Sequence, residues 1–208
     1  MCMLSPRLQA VAARVRGPRH ADIGSDHAQL PLFLSRRLER VIAVEKSSGP
    51  LHRTRAACLG SGVEVRAGDG LEPLLSGEVD SLSICGLGSL NICDILLRGQ
   101  GKLPAQLILQ PMDNAAPLRR WARAGGYHLV AEDWARPHVV LELMSASGPD
   151  PAYRDLPQAA AEFYGPWLIG DAGYRQWMRQ QRDWLRGRSG LEERLTWLES
   201  LLALANPI

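Results

Sequence analysis

Residues 19–31 read RHADIGSDHAQLP, from Arg19 to Pro31. The run up to Ile23 suits a short buried strand, Gly24 a tight turn, and the residues from about His27 a helix. In an open α/β sheet this order puts backbone N–H groups and the positive end of a helix at the carboxyl edge of a strand, where ligands bind. A dinucleotide pyrophosphate at such a turn needs further glycines so that the backbone can approach closely. This turn keeps Gly24 but carries Asp26 in the second glycine position and Ala28 further on. A carboxylate there repels phosphates and suits a cationic or zwitterionic ligand. An aspartate that only stabilises the turn is the alternative.

Outward from the turn, short β-rich runs alternate with helical patterns. Strands are predicted at 20–24, 40–45, 62–68, 80–85, 106–111, 127–135 and 138–146, and helices at 27–38, 48–60, 89–97 and 114–124. Regular strand–helix–strand succession implies right-handed crossovers and a mostly parallel sheet covered on both faces. Only Arg136 and Pro137 separate the last two strands, so these must form an antiparallel hairpin. A seven-stranded, mostly parallel sheet closing in such a hairpin is the Rossmann-like layout of class I methyltransferases rather than of dehydrogenases.

The polar, proline-rich SASGPDPAYRDLP reads as a linker. It divides a domain of residues 1–148 from a C-terminal segment, 149–208, with helices predicted at 174–188 and 191–205. In the second helix Leu191, Leu195, Leu198 and Leu202 make one apolar stripe. In the first, Trp177, Met178, Trp184 and Leu185 lie along one side, and Arg175, Arg179, Arg182 and Arg186 share another face. The two form a coiled-coil-like helical hairpin.

A chain of 208 residues, 46% hydrophobic and 22% charged, buries one substantial core with a small appendage. No run is long and apolar enough to span a bilayer, and no apolar leader follows the first methionine, so a cytoplasmic protein is expected. Cys2, Cys58, Cys85 and Cys93 show no C-x-x-C pairing or metal spacing, so neither a metal site nor a disulfide is expected. The net charge of +2 hides an uneven distribution: the first twenty residues hold Arg7, Arg14, Arg16 and Arg19 and no acid. Basic charge gathered at one end suits a polyanion such as RNA.

With this fold the ligand at the turn is expected to be S-adenosylmethionine, which has a sulfonium, an ammonium and no phosphate. Asp22, Gly24, Asp26 and His27 belong to the turn. Glu45, ending the second strand, is spaced to accept from both ribose hydroxyls. Asp69, between Gly68 and Gly70 after the third strand, suits the adenine amino group. Gly86, Leu87 and Gly88 follow the fourth strand, where the methyl group would face, and supply backbone groups instead of a side-chain acid. An adenine N1 nucleophile tolerates that, since the ring nitrogen already owns a lone pair and positioning supplies much of the rate. Asp26, His27 or water would then take a proton, His27 having a capping or packing role as its alternative.

The strings LSPRLQAVA, ADIGSDHAQLP, GDGLEPL, ICGLGSLN, LILQP and YGPWL, in this order between Leu4 and about Leu168, resemble the bacterial tRNA adenine-22 N1-methyltransferase family. The resemblance implies a class I methyltransferase with a C-terminal helical extension that methylates N1 of adenine 22 in tRNA. It implies cofactor contacts at the residues just named, with Gln110 and Pro111 lining the target-base side. Against the family pattern, Ser89 follows Gly88 where a second glycine is usual, Gln29 replaces an aromatic, and the extension is shorter and lacks lysines.

Arg7 and Arg14 are expected to hold tRNA phosphates, in a monomer or weak homodimer. Two other readings stand beside this one at the level of sequence. One keeps S-adenosylmethionine but gives it a small-molecule or protein acceptor; the other makes the chain a non-catalytic cofactor-binding protein whose tryptophans form an interaction surface.

Overall fold

A computed structural model describes residues 4–204. Cys2 and the predicted helix end at Ala205 lie outside the described residues. Helix α1 (Pro6–Arg14) opens the chain, capped by Ser5, whose hydroxyl accepts from Leu8 N–H, with Pro6 in the first turn. The sheet then builds from β1 (Arg19–Ile23), β2 (Arg40–Glu45), β3 (Glu64–Ala67), β4 (Ser81–Leu87), β5 (Gln106–Pro111), β6 (Tyr127–Ala135) and β7 (His138–Ser145). Its order is β3-β2-β1-β4-β5-β7-β6. The first five strands pair in parallel, and β7 joins β5 and β6 antiparallel, as expected from the two-residue link.

Helices α2 (Gln29–Leu34), α3 (Ser48–Ala57), α4 (Ser89–Arg98) and α5 (Ala116–Ala124) connect the strands. One apolar core joins Ile23, Leu82, Ile84 and Leu109 to Ile92, Leu96 and Leu118 of α4 and α5. The other joins Val11 and Ala12 of α1 and Leu30 and Leu34 of α2 to Val41 and Ile108. Strand order reverses between β1 and β4, so the open crevice of the sheet lies at their carboxyl ends.

Among the described residues the C-terminal segment holds three α-helices, not two: α6 (Gln158–Tyr164), α7 (Ala172–Leu185) and α8 (Glu192–Leu204). The predicted leucine stripe packs as expected, Leu198 and Leu202 buried and Leu191 and Leu195 beside them. Met178 and Leu185 are buried too, while Trp184 is half-exposed beneath Arg188.

The stretch read as a linker is packed against the sheet. It forms a 3₁₀ turn at Pro151–Tyr153 with Ala152 buried, and Asp150 accepts from Leu129 N–H at 2.8 Å. Within the first segment Arg119 and Glu132, whose side chains are 1% and 0% exposed, pair at 2.5 Å, and Trp167 N–H of the second segment donates to Glu132 Oε2 at 3.3 Å. Arg119 further donates to the Glu162 carbonyl at 2.8 Å, which ties α6 to α5.

Candidate functional site

A cavity of about 340 Å³ opens at the carboxyl edge of the first four strands. Gly24, Glu45, Asp69, Gly70 and Leu87 line it, so five sequence-predicted residues from four separate loops come together. Gly24 has φ +76° and a Cβ there would meet nothing within 4 Å, so the backbone itself is the wall of the cavity at that point. Glu45 is buried, and its Oε1 accepts from Asp26 N–H at 2.5 Å. No hydrogen bond engages Oε2 among the described residues. Burial raises the Glu45 carboxyl above its ordinary value, with the Asp26 N–H opposing the rise.

The first turn differs from expectation. A helix beginning at His27 gives way to a 3₁₀ turn at Asp26–Ala28, with His27 and Ala28 both left-handed at φ 57° and 51°. Helix α2 starts only at Gln29 and has six residues, so its positive end does not serve the cavity. The Asp26 carboxylate turns outward to Arg53 on α3, at 2.8 Å, and that partner holds it below its ordinary value. His27, with its side chain 60% exposed, lines a separate groove beside Leu4, Gln29, Phe33 and Arg36. Neither side chain lines the cavity in which Gly24, Glu45, Asp69, Gly70 and Leu87 meet.

Asp22 lies behind the turn, buried, with Oδ1 accepting from Ser83 Oγ at 2.6 Å. Ser83 gives its one proton to Asp22 and therefore accepts from His20 Nε2–H at 2.9 Å. His20 Nδ1 then accepts from Ser81 Oγ at 2.8 Å. Burial pushes Asp22 up to about 6 and His20 down to about 3. This column runs inside the β1–β4 pair and fixes the turn from beneath: Ser25 Oγ closes it onto the Asp22 carbonyl at 2.8 Å.

Near its end β4 carries a bulge at Gly86, where pairing to β5 shifts between Cys85 and Leu87. Gly86 has φ +76°, and its N–H donates to Gln110 Oε1 at 3.2 Å. The same oxygen accepts from the Arg7 guanidinium, which α1 brings across the end of the sheet. Arg7 is thus half-buried at the bulge, with its guanidinium on Gln110. Gln110 and Pro111 end β5 there; both are buried.

Arg14 has protein partners. Its guanidinium grips Asp133 through two bonds of 2.7 Å and reaches Glu142 at 3.4 Å, so the fork is already occupied by carboxylates. The asymmetry of charge seen along the sequence is largely cancelled in three dimensions, since Arg19 pairs with Asp80 and Arg16 with Glu142. On α7, Arg175 caps the carbonyls of Ile169 and Gly170, while Arg182 and Arg186 meet Asp183.

Sequence reading missed Lys46, Asn91 and Arg98, which also line the cavity. Lys46 and Arg98 pair with Asp69 at 2.8 and 3.1 Å and lower its pKa, so this carboxylate stays charged at the rim. Asn91, Ile95 and Arg98 recur at helical spacing after Gly88, a periodicity that already put them on one face of α4.

A second, larger cleft of about 750 Å³ lies between the loop after β5, the β6–β7 turn and the C-terminal helices. Asp113, Trp134, Arg136, Phe163, Trp177 and Arg194 are among its walls.

The family profile described as "Methyltransferase domain" matches residues 4–139. The tRNA (adenine(22)-N(1))-methyltransferase of Bacillus subtilis (strain 168) is 37% identical over 183 residues, covering 79% of this chain and 74% of that protein. The chain belongs to this methyltransferase family. The crystal structure of the B. subtilis M1A22 tRNA methyltransferase TrmK superposes with a TM-score of 0.85 at 30% identity, covering 96% of this chain and 99% of that one. Streptococcus pneumoniae Sp1610, solved in complex with S-adenosyl-L-methionine, gives a TM-score of 0.83 at 27% identity over 96% of this chain and 100% of that one. The similarity to both solved structures extends through the C-terminal helices, which the family profile does not reach. Among the described residues no helix is long and apolar enough to cross a membrane, and no three His, Cys, Asp or Glu side chains converge as a metal site would require.

Proposed function

We propose that this protein transfers a methyl group from S-adenosylmethionine to N1 of adenine 22 in tRNA. The observation that carries the reading is the meeting of Gly24, Glu45, Asp69 and Leu87, from the ends of four successive strands, around one cavity in a chain of this family. The cavity fits the cofactor chemically. Glu45 offers a buried carboxylate oxygen for ribose hydroxyls, Asp69 offers a charged acceptor at the rim, and Gly24 leaves the floor open.

When bound, the cofactor supplies a methyl carbon on a positively charged sulfur. Within the chain, Glu45 holds the nucleoside end, and Asp69 accepts from an amino group while Lys46 and Arg98 keep it ionised. The bulge at Gly86, fastened by Gln110 and Arg7, sets the backbone of Leu87 and Gly88 along the reacting side. Asp22 supports the first turn and adds buried negative potential beneath the site. In this reading Arg7 and Gln110 position the bulge, Pro111 borders the base side, and neither Asp26 nor His27 moves a proton.

Residues 1–148 serve as the catalytic domain and 149–208 as the helical segment that helps engage tRNA, in a cytoplasmic protein acting as a monomer or weak homodimer. The test is incubation with methyl-labelled S-adenosylmethionine and unmodified bacterial tRNA, followed by mapping of the labelled nucleoside. Label at N1 of adenine 22, lost in Glu45→Gln, is the expected result. Tight cofactor binding with no label on any tRNA overturns the reading.

A further inference from the structure

We infer that the larger cleft receives the target adenine and that Asp113 accepts a hydrogen bond from its 6-amino group, selecting adenine over 6-oxo purines. The inference rests on the function proposed above and gives that site its base-reading residue.

One short stretch of chain, residues 87–91, links the two cavities. Leu87 and Asn91 line the cofactor cavity. Between them, Ser89 N–H donates to Asp113 Oδ1 at 2.7 Å, and Asp113 Oδ2 lies 3.6 Å from where a Cβ on Gly88 would stand. Asp113 itself lines the larger cleft. The larger cleft thus adjoins the cofactor cavity across the Ser89–Asp113 contact, and a base held there has its path to the methyl group along this stretch.

The walls suit an extruded nucleotide. Trp134 meets Tyr174 edge-on and Trp177 at a tilt, with ring centroids 5.2 and 6.1 Å apart, so aromatic side chains line this part of the cleft. Arg136 lies 4.4 Å over Trp134, and Arg194 lies 4.8 Å over Phe163. Arg194 Nε is buried without a hydrogen-bond partner, a donor directed at no protein group. The two guanidiniums suit the phosphates on either side of a turned-out base. Among the cleft-lining residues Asp113 is the one carboxylate, so it defines where a hydrogen-bond donor on the base must lie.

Such a carboxylate reads the 6 position. Adenine presents an amino donor to it, whereas guanine or hypoxanthine presents a carbonyl oxygen, which the carboxylate repels. It also assists the transfer. The N1 lone pair forms the new bond to the methyl carbon as the carbon–sulfur bond breaks and its electron pair stays on sulfur. Positive charge passes to the purine and is shared between N1 and the amino nitrogen, so the N–H facing Asp113 becomes a stronger donor as the bond forms. No proton has to leave during this step.

The test compares wild type with Asp113→Asn, an isosteric change at an exposed position that leaves an oxygen for Ser89 N–H. The substrates are tRNA transcripts carrying adenine, purine or hypoxanthine at position 22. Single-turnover methylation of the adenine transcript is expected to fall about 100-fold in the variant. The purine transcript, which lacks the amino group, should react equally slowly with both proteins. In equilibrium binding with S-adenosylhomocysteine present, wild type should hold the hypoxanthine transcript about tenfold more weakly than the adenine one, and Asp113→Asn should hold the two alike. Full activity of the variant on adenine, equal losses on adenine and purine, or hypoxanthine discrimination that survives in the variant each overturn the inference. A wild-type protein that methylates no tRNA overturns the functional reading and this inference with it, so the two failures are told apart.

Discussion

The backbone N–H of Asp26 donates to Glu45 Oε1 at 2.5 Å, tying the turn after β1 to the end of β2. One carboxylate oxygen thus organises the turn and leaves the other for a ligand hydroxyl. Glu45→Gln keeps an oxygen acceptor for Asp26 and removes the charge, so the fold should hold while charge-assisted bonds to ligand are lost. Cofactor affinity, read by calorimetric titration with S-adenosylhomocysteine, should weaken by about 10–100-fold, the equivalent of a charged hydrogen bond of roughly 1.5–3 kcal/mol. Since burial raises the Glu45 carboxyl, wild-type affinity should begin to fall at a higher pH on acidification than an ordinary glutamate would give.

Asp22 gives a pH dependence of the opposite sense to the usual acid denaturation. Its folded-state value, about 6, exceeds the ordinary 3.8, mainly because burial opposes its charge. A raised carboxyl contributes stability below the unfolded value and loses it as pH rises through the folded one. The loss therefore develops between about pH 4 and pH 6 and amounts to roughly 2–3 kcal/mol above that window. Asp22→Asn should melt higher than wild type at pH 8 and level with it near pH 4. Equal melting points across the range would show that Arg7 neutralises the buried charge.

Much of this was legible in the sequence because the fold depends on patterns that a chain displays locally. The two-residue link at Arg136 and Pro137 required the hairpin, and acids at the ends of the second and third strands landed in one cavity as spacing implied. What was not legible depends on long-range pairing. Nothing near Arg14 announces Asp133, 119 residues away, so its charge looked free. Asp26 occupies a position where a carboxylate would matter to a ligand, yet Arg53 on the next helix turns it outward. Helix α1 went unread although Ser5–Pro6 is a start signal followed by Leu8, Val11, Ala12 and Val15 at helical spacing; the arginines drew the reading to charge.

The same pairing separates two arginines experimentally. Arg14→Ala should cost roughly 1–3 kcal/mol of stability, because it unties Asp133 and leaves buried Glu142 with less compensation. It should leave the salt dependence of tRNA binding unchanged. Arg136→Ala, at the exposed mouth of the cleft, should lower the slope of log affinity against log salt by about 0.7–0.9, one phosphate contact. Filter binding between low and moderate salt checks both, and an altered slope for Arg14→Ala would mean that RNA breaks its carboxylate pairs.

Arg119 and Glu132 pair inside a desolvated junction, where Arg119 donates to the Glu162 and Phe163 carbonyls and Glu132 accepts from Trp167 N–H of the second segment. Glu132→Gln leaves a buried guanidinium facing a neutral amide and should cost about 3–5 kcal/mol, lowering the melting temperature by roughly 10 °C or more in a chain of this size. Replacing both partners by leucine should recover most of that, since two apolar side chains need no compensation. A double variant as unstable as the single one would instead locate the stability in the bonds from Arg119 to the carbonyls of α6.

Gly86 tests whether the bulge positions the reaction. Its φ of +76° disfavours any L side chain, and a Cβ would stand 3.2 Å from Arg7 Nη1, the group that helps hold Gln110. In Gly86→Ala the backbone strain, about 1–2 kcal/mol, and the contact with Arg7 both push the segment toward ordinary strand pairing. Leu87 and Gly88 then shift, while Gly24, Glu45 and Asp69, on other strands, stay in place. Cofactor affinity should therefore be nearly unchanged and kcat should fall about 100-fold, the penalty for a small misplacement of reacting groups. Adding Arg7→Ala relieves the contact but leaves the φ strain and removes one fastening of the bulge, so it should not restore kcat. Full restoration would make Arg7 the whole cause, and a parallel loss of cofactor binding would show that the bulge shapes the cofactor cavity instead.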